Sequence, residues 1–201
     1  MKYNPDIHHR RSIRLQGYDY SLPGAYFVTI CTQNRECLFG DIRNGEMALN
    51  DAGNMVTRWY HELENKFPDI QHDAFICMPN HVHFIVVNMG PVTVGADQRV
   101  CPNKMGEHAG KGEHAGSPLH RVVQWFKTMT TNEYICGVKQ NGWPPFPGKL
   151  WQRNYYEHVI RDEDELNKVR EYIVGNPSNW ESDQENPNRK MVPNDLVGNW
   201  R

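Results

Sequence analysis

The sequence predicts an α+β domain, an antiparallel sheet with helices on one face, and three observations carry that expectation. Apolar, β-branched runs alternate with stretches of helical periodicity in the order strand–helix–strand–strand–helix–strand. Capping and tight-turn residues stand at the junctions between them. The length of 201 residues suits one domain with a sizeable core.

The elements follow in chain order. Ala25-Tyr-Phe-Val-Thr-Ile-Cys-Thr32 reads as a strand by β-propensity. Leu38-Phe-Gly and Glu46-Met-Ala-Leu49 flank Arg43-Asn-Gly45, and Asn-Gly predicts a small hairpin. Asn50 is placed as an N-cap, after which Met55, Val56, Trp59, Tyr60 and Leu63 recur at helical spacing. A second strand covers about Ile70 to Met78, and a third follows Pro79-Asn80. Residues 88–117 are rich in glycine and repeat Gly-Glu-His-Ala-Gly at 106–110 and 112–116, which predicts a flexible insertion. Its His108 and His114 read as solvated loop residues. Pro118 opens a helix whose stripe is Leu119, Val122, Val123 and Phe126, and Trp143-Pro-Pro-Phe-Pro147 makes a rigid connection. Leu150 to Ile160 reads as a fourth strand. Asp162 and Glu165 have the spacing of a capping box before a last helix buried through Leu166, Val169 and Ile173, and Pro177 stops it.

Composition bounds the function. The net charge of −2 carries no global signature of nucleic-acid binding, but the distribution is uneven. Residues 117–161 hold six Lys/Arg against two Asp/Glu, whereas 162–201 hold five against nine. Any polyanion contact is expected in that basic stretch or around Arg10, Arg11 and Arg14. Five cysteines with no short paired spacing argue against a disulfide framework and a zinc ribbon. The N-terminus is polar, without the apolar segment of a signal peptide, and no apolar run approaches membrane-spanning length. The expectation is a cytoplasmic protein with no membrane partner.

Two patterns point to chemistry. His81 and His83 lie one residue apart in Met78-Pro-Asn-His-Val-His-Phe-Ile-Val-Val87, so on a strand they share a face. Two imidazoles so placed can grip one metal ion or one phosphate, and their apolar neighbours mark a central strand where polar groups need a reason to be. On the last helix, Tyr172 sits at the edge of the apolar stripe and Asn176 stacks one turn beyond it. An amphipathic tyrosine with a C-terminal Asn cap is the alternative for that pair.

These residues resemble the HUH single-tyrosine transposases, and more closely their branch of REP-associated tyrosine transposases. The phrases that carry the resemblance are Met78-Pro-Asn-His-Val-His83, Trp125-Phe-Lys-Thr-Met-Thr-Thr131, Trp151-Gln-Arg-Asn-Tyr-Tyr-Glu-His-Val-Ile-Arg161 and Tyr172-Ile-Val-Gly-Asn-Pro177. They occur in the family's order over about residues 10–180. The resemblance implies a ferredoxin-like sheet with helices on one face plus a C-terminal helix carrying the catalytic Tyr, a single HUH transposase domain over 1–180 and a polar tail over 181–201. It implies His81, His83 and Asn176 as metal ligands, Tyr172 as nucleophile and Mg2+ or Mn2+ as cofactor. The implied substrate is single-stranded DNA hairpins formed by repetitive extragenic palindromes, cut through a 5′-phosphotyrosine by a monomer or homodimer. Arg10, Arg11, Arg14, Lys127, Arg153 and Arg161 are the candidate phosphate contacts, while Tyr155 and Tyr156 compete for the nucleophile's role. Two other classes stay open at this point: a DNA- or RNA-binding regulator without strand transfer, and a metal-dependent nuclease that activates water.

Overall fold

A computed structural model of the protein describes residue 18, residues 22–90 and residues 118–189. Arg10, Arg11, Arg14, residues 91–117 of the glycine-rich insertion and residues 190–201 of the expected tail lie outside them. Four antiparallel strands form the main sheet: β1 (Gly24–Cys31), β4 (Ile70–Cys77), β5 (His81–Asn88) and β6 (Tyr156–Ile160). Their order is β4-β5-β1-β6. β2 (Gly40–Arg43) and β3 (Glu46–Leu49) make a separate hairpin. Its turn places Asn44 at φ 54° and Gly45 at φ 79°, the left-handed pair that Asn-Gly supplies.

The two central strands, β1 and β5, are apolar on both faces, and this dictates the layering. Val82, Phe84 and Val86 join Tyr26, Val28 and Ile30 on one face, beneath α1 (Asp51–Lys66) and α2 (Pro118–Gln140). Phe27 and Ile85 lie on the other, beneath Val169 and Ile173 of α3 (Glu163–Gly175). Helices on one face therefore describes α1 and α2, while α3 covers the opposite face, because Phe27 and Ile85 would otherwise be left in water.

Local chemistry fixes the helix ends. The Asn50 side chain accepts from the Gly53 N–H at 2.9 Å and caps α1. Asp162 caps α3 by accepting from the Glu165 N–H at 2.8 Å. Glu165 reaches back to the Arg161 N–H at 2.8 Å, and its other oxygen lies 2.8 Å from His158 Nε2, tying the start of α3 to β6. α3 ends at Gly175, and a 3-10 segment follows from Pro177 to Ser182.

The fourth strand is shorter than expected. Only Tyr156–Ile160 pairs with β1, and Trp151 makes an isolated bridge to Thr32. Residues 152–154 leave the sheet because their carbonyls converge on one cation. Lys127 Nζ donates to the carbonyl oxygens of Gln152 (3.0 Å), Arg153 (3.4 Å) and Asn154 (3.4 Å). Three successive carbonyls aimed at one point cannot alternate as a strand requires. Among the described residues no helix is long and apolar enough to cross a membrane.

Candidate metal centre and nucleophile

His81 and His83 project from β5 toward α3, opposite Cys31 and Thr29 of β1. Both imidazoles are buried, at 0% and 1% exposure, so every ring nitrogen must be satisfied by the protein or by something bound. Asn80 holds the first ring. Its Nδ2 donates to the carbonyls of Arg35 (3.0 Å) and Glu185 (2.7 Å), which leaves Oδ1 as the acceptor 2.8 Å from His81 Nδ1. His81 Nδ1 therefore carries the proton, and the lone pair of its Nε2 points into the site. Thr29 Oγ1 lies 2.8 Å from His83 Nδ1 and orients the second ring, which stacks on Phe27 at 5.4 Å between centroids.

The two Nε2 atoms face each other at 2.9 Å. Two bare lone pairs repel at that distance, so either a proton or a cation lies between them. The threonine hydroxyl permits both states. As donor it leaves His83 protonated at Nε2, and as acceptor it frees that nitrogen for a metal.

Oxygen donors come from the segment that follows α3. Asp183, His81 and His83 place one ligand atom each within 4.8 Å of one another. The other face of that carboxylate is fixed, since Asp183 Oδ1 accepts from the Glu185 N–H at 2.6 Å. Arg35 Nε meets Glu185 Oε2 at 2.9 Å and holds the segment in place. Asn176, 2% exposed at the end of α3, has a buried Oδ1 that accepts no hydrogen bond from any described residue. In sequence it lies between Tyr172, whose ring packs on His83, and Trp180, whose ring packs on His81. Two imidazoles and a carboxylate form a donor set that a divalent ion would satisfy.

Tyr172 reaches the same point. Its hydroxyl lies 3.5 Å from His83 Nε2, and its ring packs edge-on against Phe27 at 5.9 Å. Helix α3 is held for this by a bidentate ion pair, with Arg170 Nε on Asp73 Oδ1 at 2.9 Å and Nη2 on Oδ2 at 2.5 Å. The hydrogen bond from Arg170 keeps the Asp73 carboxyl below its ordinary range.

The structure thus brings His81, His83 and Tyr172 together, with Asn176 one turn further along α3. Tyr156 shares the histidines' sheet face through its register with Thr29, whereas the Tyr155 ring lies 5.3 Å from the Lys127 ammonium on the α2 side. Lys127 is turned inward to the 152–154 carbonyls, while Arg153 and Arg161 are exposed. Asp183, Asn80, Thr29 and Trp180 were not legible as site residues. Asp183 sits in a stretch without periodicity, expected to be tail, and nothing in its neighbourhood marks it as a ligand. Asn80 adjoins His81, and its adjacency was the one available signal.

No family model matches the chain. An uncharacterized protein of Haemophilus influenzae is 41% identical over 196 residues, covering 91% of this chain and 96% of its own length. Among solved structures, a REP-associated tyrosine transposase bound to a REP hairpin is similar at a TM-score of 0.47 and 17% identity. That likeness covers 77% of this chain and 66% of the transposase. With 41% identity along nearly all of both sequences, the chain belongs to the same family as the Haemophilus influenzae protein.

Proposed function

We propose that the protein cuts and rejoins single-stranded DNA at hairpin-forming repeats, with Tyr172 as the nucleophile and a divalent ion held by His81, His83, Asp183 and Asn176. The observation that carries this reading is the placement of the Tyr172 hydroxyl 3.5 Å from a buried pair of imidazole nitrogens that themselves stand 2.9 Å apart. The strand order β4-β5-β1-β6, with α1 and α2 as crossovers, supports a ferredoxin-like core. When bound, the ion supplies charge neutralisation on the non-bridging oxygens of a phosphodiester. Everything else falls to the chain.

Tyr172 Oη attacks phosphorus in line with the 3′ oxygen. The O–P bond to tyrosine forms as the bond to the 3′ oxygen breaks, giving a 5′-phosphotyrosine and a free 3′ hydroxyl. The phenol ordinarily titrates near 10, so its proton passes to water during attack, and the leaving oxygen takes one up. A later hydroxyl reverses the step and rejoins the strand, since the phosphotyrosine conserves the ester. The burial of both histidines and the edge-on packing of Tyr172 hold these groups without solvent reorganisation.

The test is incubation with an end-labelled single-stranded repeat hairpin and Mn2+, followed by a denaturing gel. A protein-linked label that disappears in Tyr172→Phe, with hairpin binding retained, is the expected result. Release of a cut strand with no adduct would instead identify a nuclease that uses water, and a shifted, uncut hairpin a binding protein.

A further inference from the structure

A cleft of about 610 Å³ opens on the other side of the molecule's α2 layer, between that helix and residues 148–155. Its volume falls within the roughly 300–1,000 Å³ typical of sites that enclose small molecules. Three cations line it, Lys127, Lys149 and Arg153, and no Asp or Glu does. Lys127 is committed to the 152–154 carbonyls, and burial lowers its amine to about 8, so the two exposed cations on the loop remain for a ligand. Across from them, Gln124, Thr128, Thr131 and Asn132 recur at three- and four-residue spacing and so present one polar stripe of α2 to the cleft. Tyr155 adds an aromatic ring to the wall.

The loop wall is bolted to the strand end that carries the histidine site. The Gln152 N–H donates to the Cys31 carbonyl at 2.9 Å, its Nε2 donates to the Thr32 carbonyl at 3.1 Å, and the Gln33 N–H donates to the Leu150 carbonyl at 2.8 Å. Cys31 is the register partner of His81. Cleft and histidine pair therefore share the same end of the sheet, on its opposite faces. Phosphate-seeking cations on one wall, amides and hydroxyls on the other and an aromatic between them match how proteins hold unpaired nucleotides.

We propose that this cleft is a second nucleic-acid site, which holds one or two unpaired nucleotides of the strand whose scissile phosphate lies at the histidine pair. Lys149 and Arg153 face the phosphates, Tyr155 stacks on a base, and Gln124 and Asn132 meet its edge. The inference rests on the reading of single-stranded DNA as substrate, yet its test involves no cleavage. Fluorescence anisotropy of a labelled oligo-deoxythymidine of eight nucleotides is measured with the full chain in EDTA. The double substitution Lys149→Ala/Arg153→Ala and, on the uncharged wall, Asn132→Ala should each weaken binding about tenfold. Lys139→Ala, which removes an exposed cation elsewhere on α2, should change it less than about twofold. The proposal is overturned if the oligonucleotide is not bound, if Asn132→Ala binds like wild type, or if Lys139→Ala weakens binding as much as the loop variants. Failure to form a covalent adduct would sink the cleavage reading while leaving this measurement standing.

Discussion

Asn80 shows how one amide can set the chemistry of a site it does not enter. Its oxygen fixes the proton of His81 on Nδ1, and its NH2 group ties down the carbonyls of Arg35 and Glu185, the latter in the segment that brings Asp183 to the pair. Arg35 adopts φ 58°, a left-handed conformation that a non-glycine residue enters at a cost of roughly 1–2 kcal/mol, and its carbonyl bond to Asn80 helps to hold it there. Asn80→Ala removes all of these at once. Calorimetric titration with Mn2+ should show affinity falling about 10- to 100-fold, the usual consequence of losing a partner that orients a ligand. Wild-type affinity in a folded Asn80→Ala protein would show that His81 needs no orienting group. Replacing both His81 and His83 by alanine should abolish Mn2+ binding while hairpin binding survives. Asp183→Ala should weaken the ion more than Asn176→Ala does, because a carboxylate brings charge and an amide only a dipole; the reverse ranking would make Asn176 the principal oxygen ligand.

At the scale of elements, the helix that carries Tyr172 is positioned from the far face of the sheet. Tyr60 of α1 is fully buried, and its hydroxyl accepts from the Asp73 N–H at 3.1 Å while it donates to the Ile85 carbonyl at 3.0 Å. This pins an irregularity in β4 between His72 and Phe75, where Asp73 can meet Arg170 of α3, two residues before Tyr172. Tyr60→Phe leaves two buried backbone groups without a partner and should lower unfolding free energy by about 1–3 kcal/mol in urea. A loss of a few tenths would mean that the irregularity holds without the hydroxyl. Asp73→Asn should cost on the order of 1 kcal/mol at neutral pH, as half-exposed ion pairs do. Because Arg170 depresses the Asp73 carboxyl, its contribution is present above the ordinary carboxylate range and lost as pH falls through it. The wild-type advantage over Asp73→Asn should therefore shrink below about pH 4. An advantage that persists undiminished at pH 2.5 would exclude the ion pair as its source. Lys127 runs the other way. Desolvation lowers its amine from 10.5 to about 8, so the unfolded chain binds the extra proton between those values. Stability relative to Lys127→Met should rise across that interval, and a flat difference would show that the buried ammonium is not disfavoured.

For the whole molecule, legibility followed the range of the interactions. The Asn44-Gly45 turn and the Asn50 and Asp162 caps could be read because a few neighbouring residues decide them. The shared face of His81 and His83 likewise needs only strand periodicity. The fourth strand was read too long because Lys127, 25 residues before Gln152, draws its carbonyls out of the ladder. The last helix was read apart from the helices on one face, but the sheet face it covers was not, because apolar character on both faces of β1 and β5 says only that each face is covered, not by what. Asp183 was missed for the same reason: it reaches the histidines through contacts about a hundred residues apart in sequence, as Asn80 reaches Glu185.

The central claim is that Tyr172, beside the histidine pair, forms the bond to DNA. Tyr156 makes this a real choice, since it lies on the same sheet face. Mass spectrometry of the digested covalent adduct decides it directly. The account predicts a phosphonucleotide on the peptide that holds Val169 to Asn176, and none on peptides that hold Tyr155 or Tyr156. A nucleotide found on Tyr155 or Tyr156, or an adduct that Tyr172→Phe still forms, would contradict it.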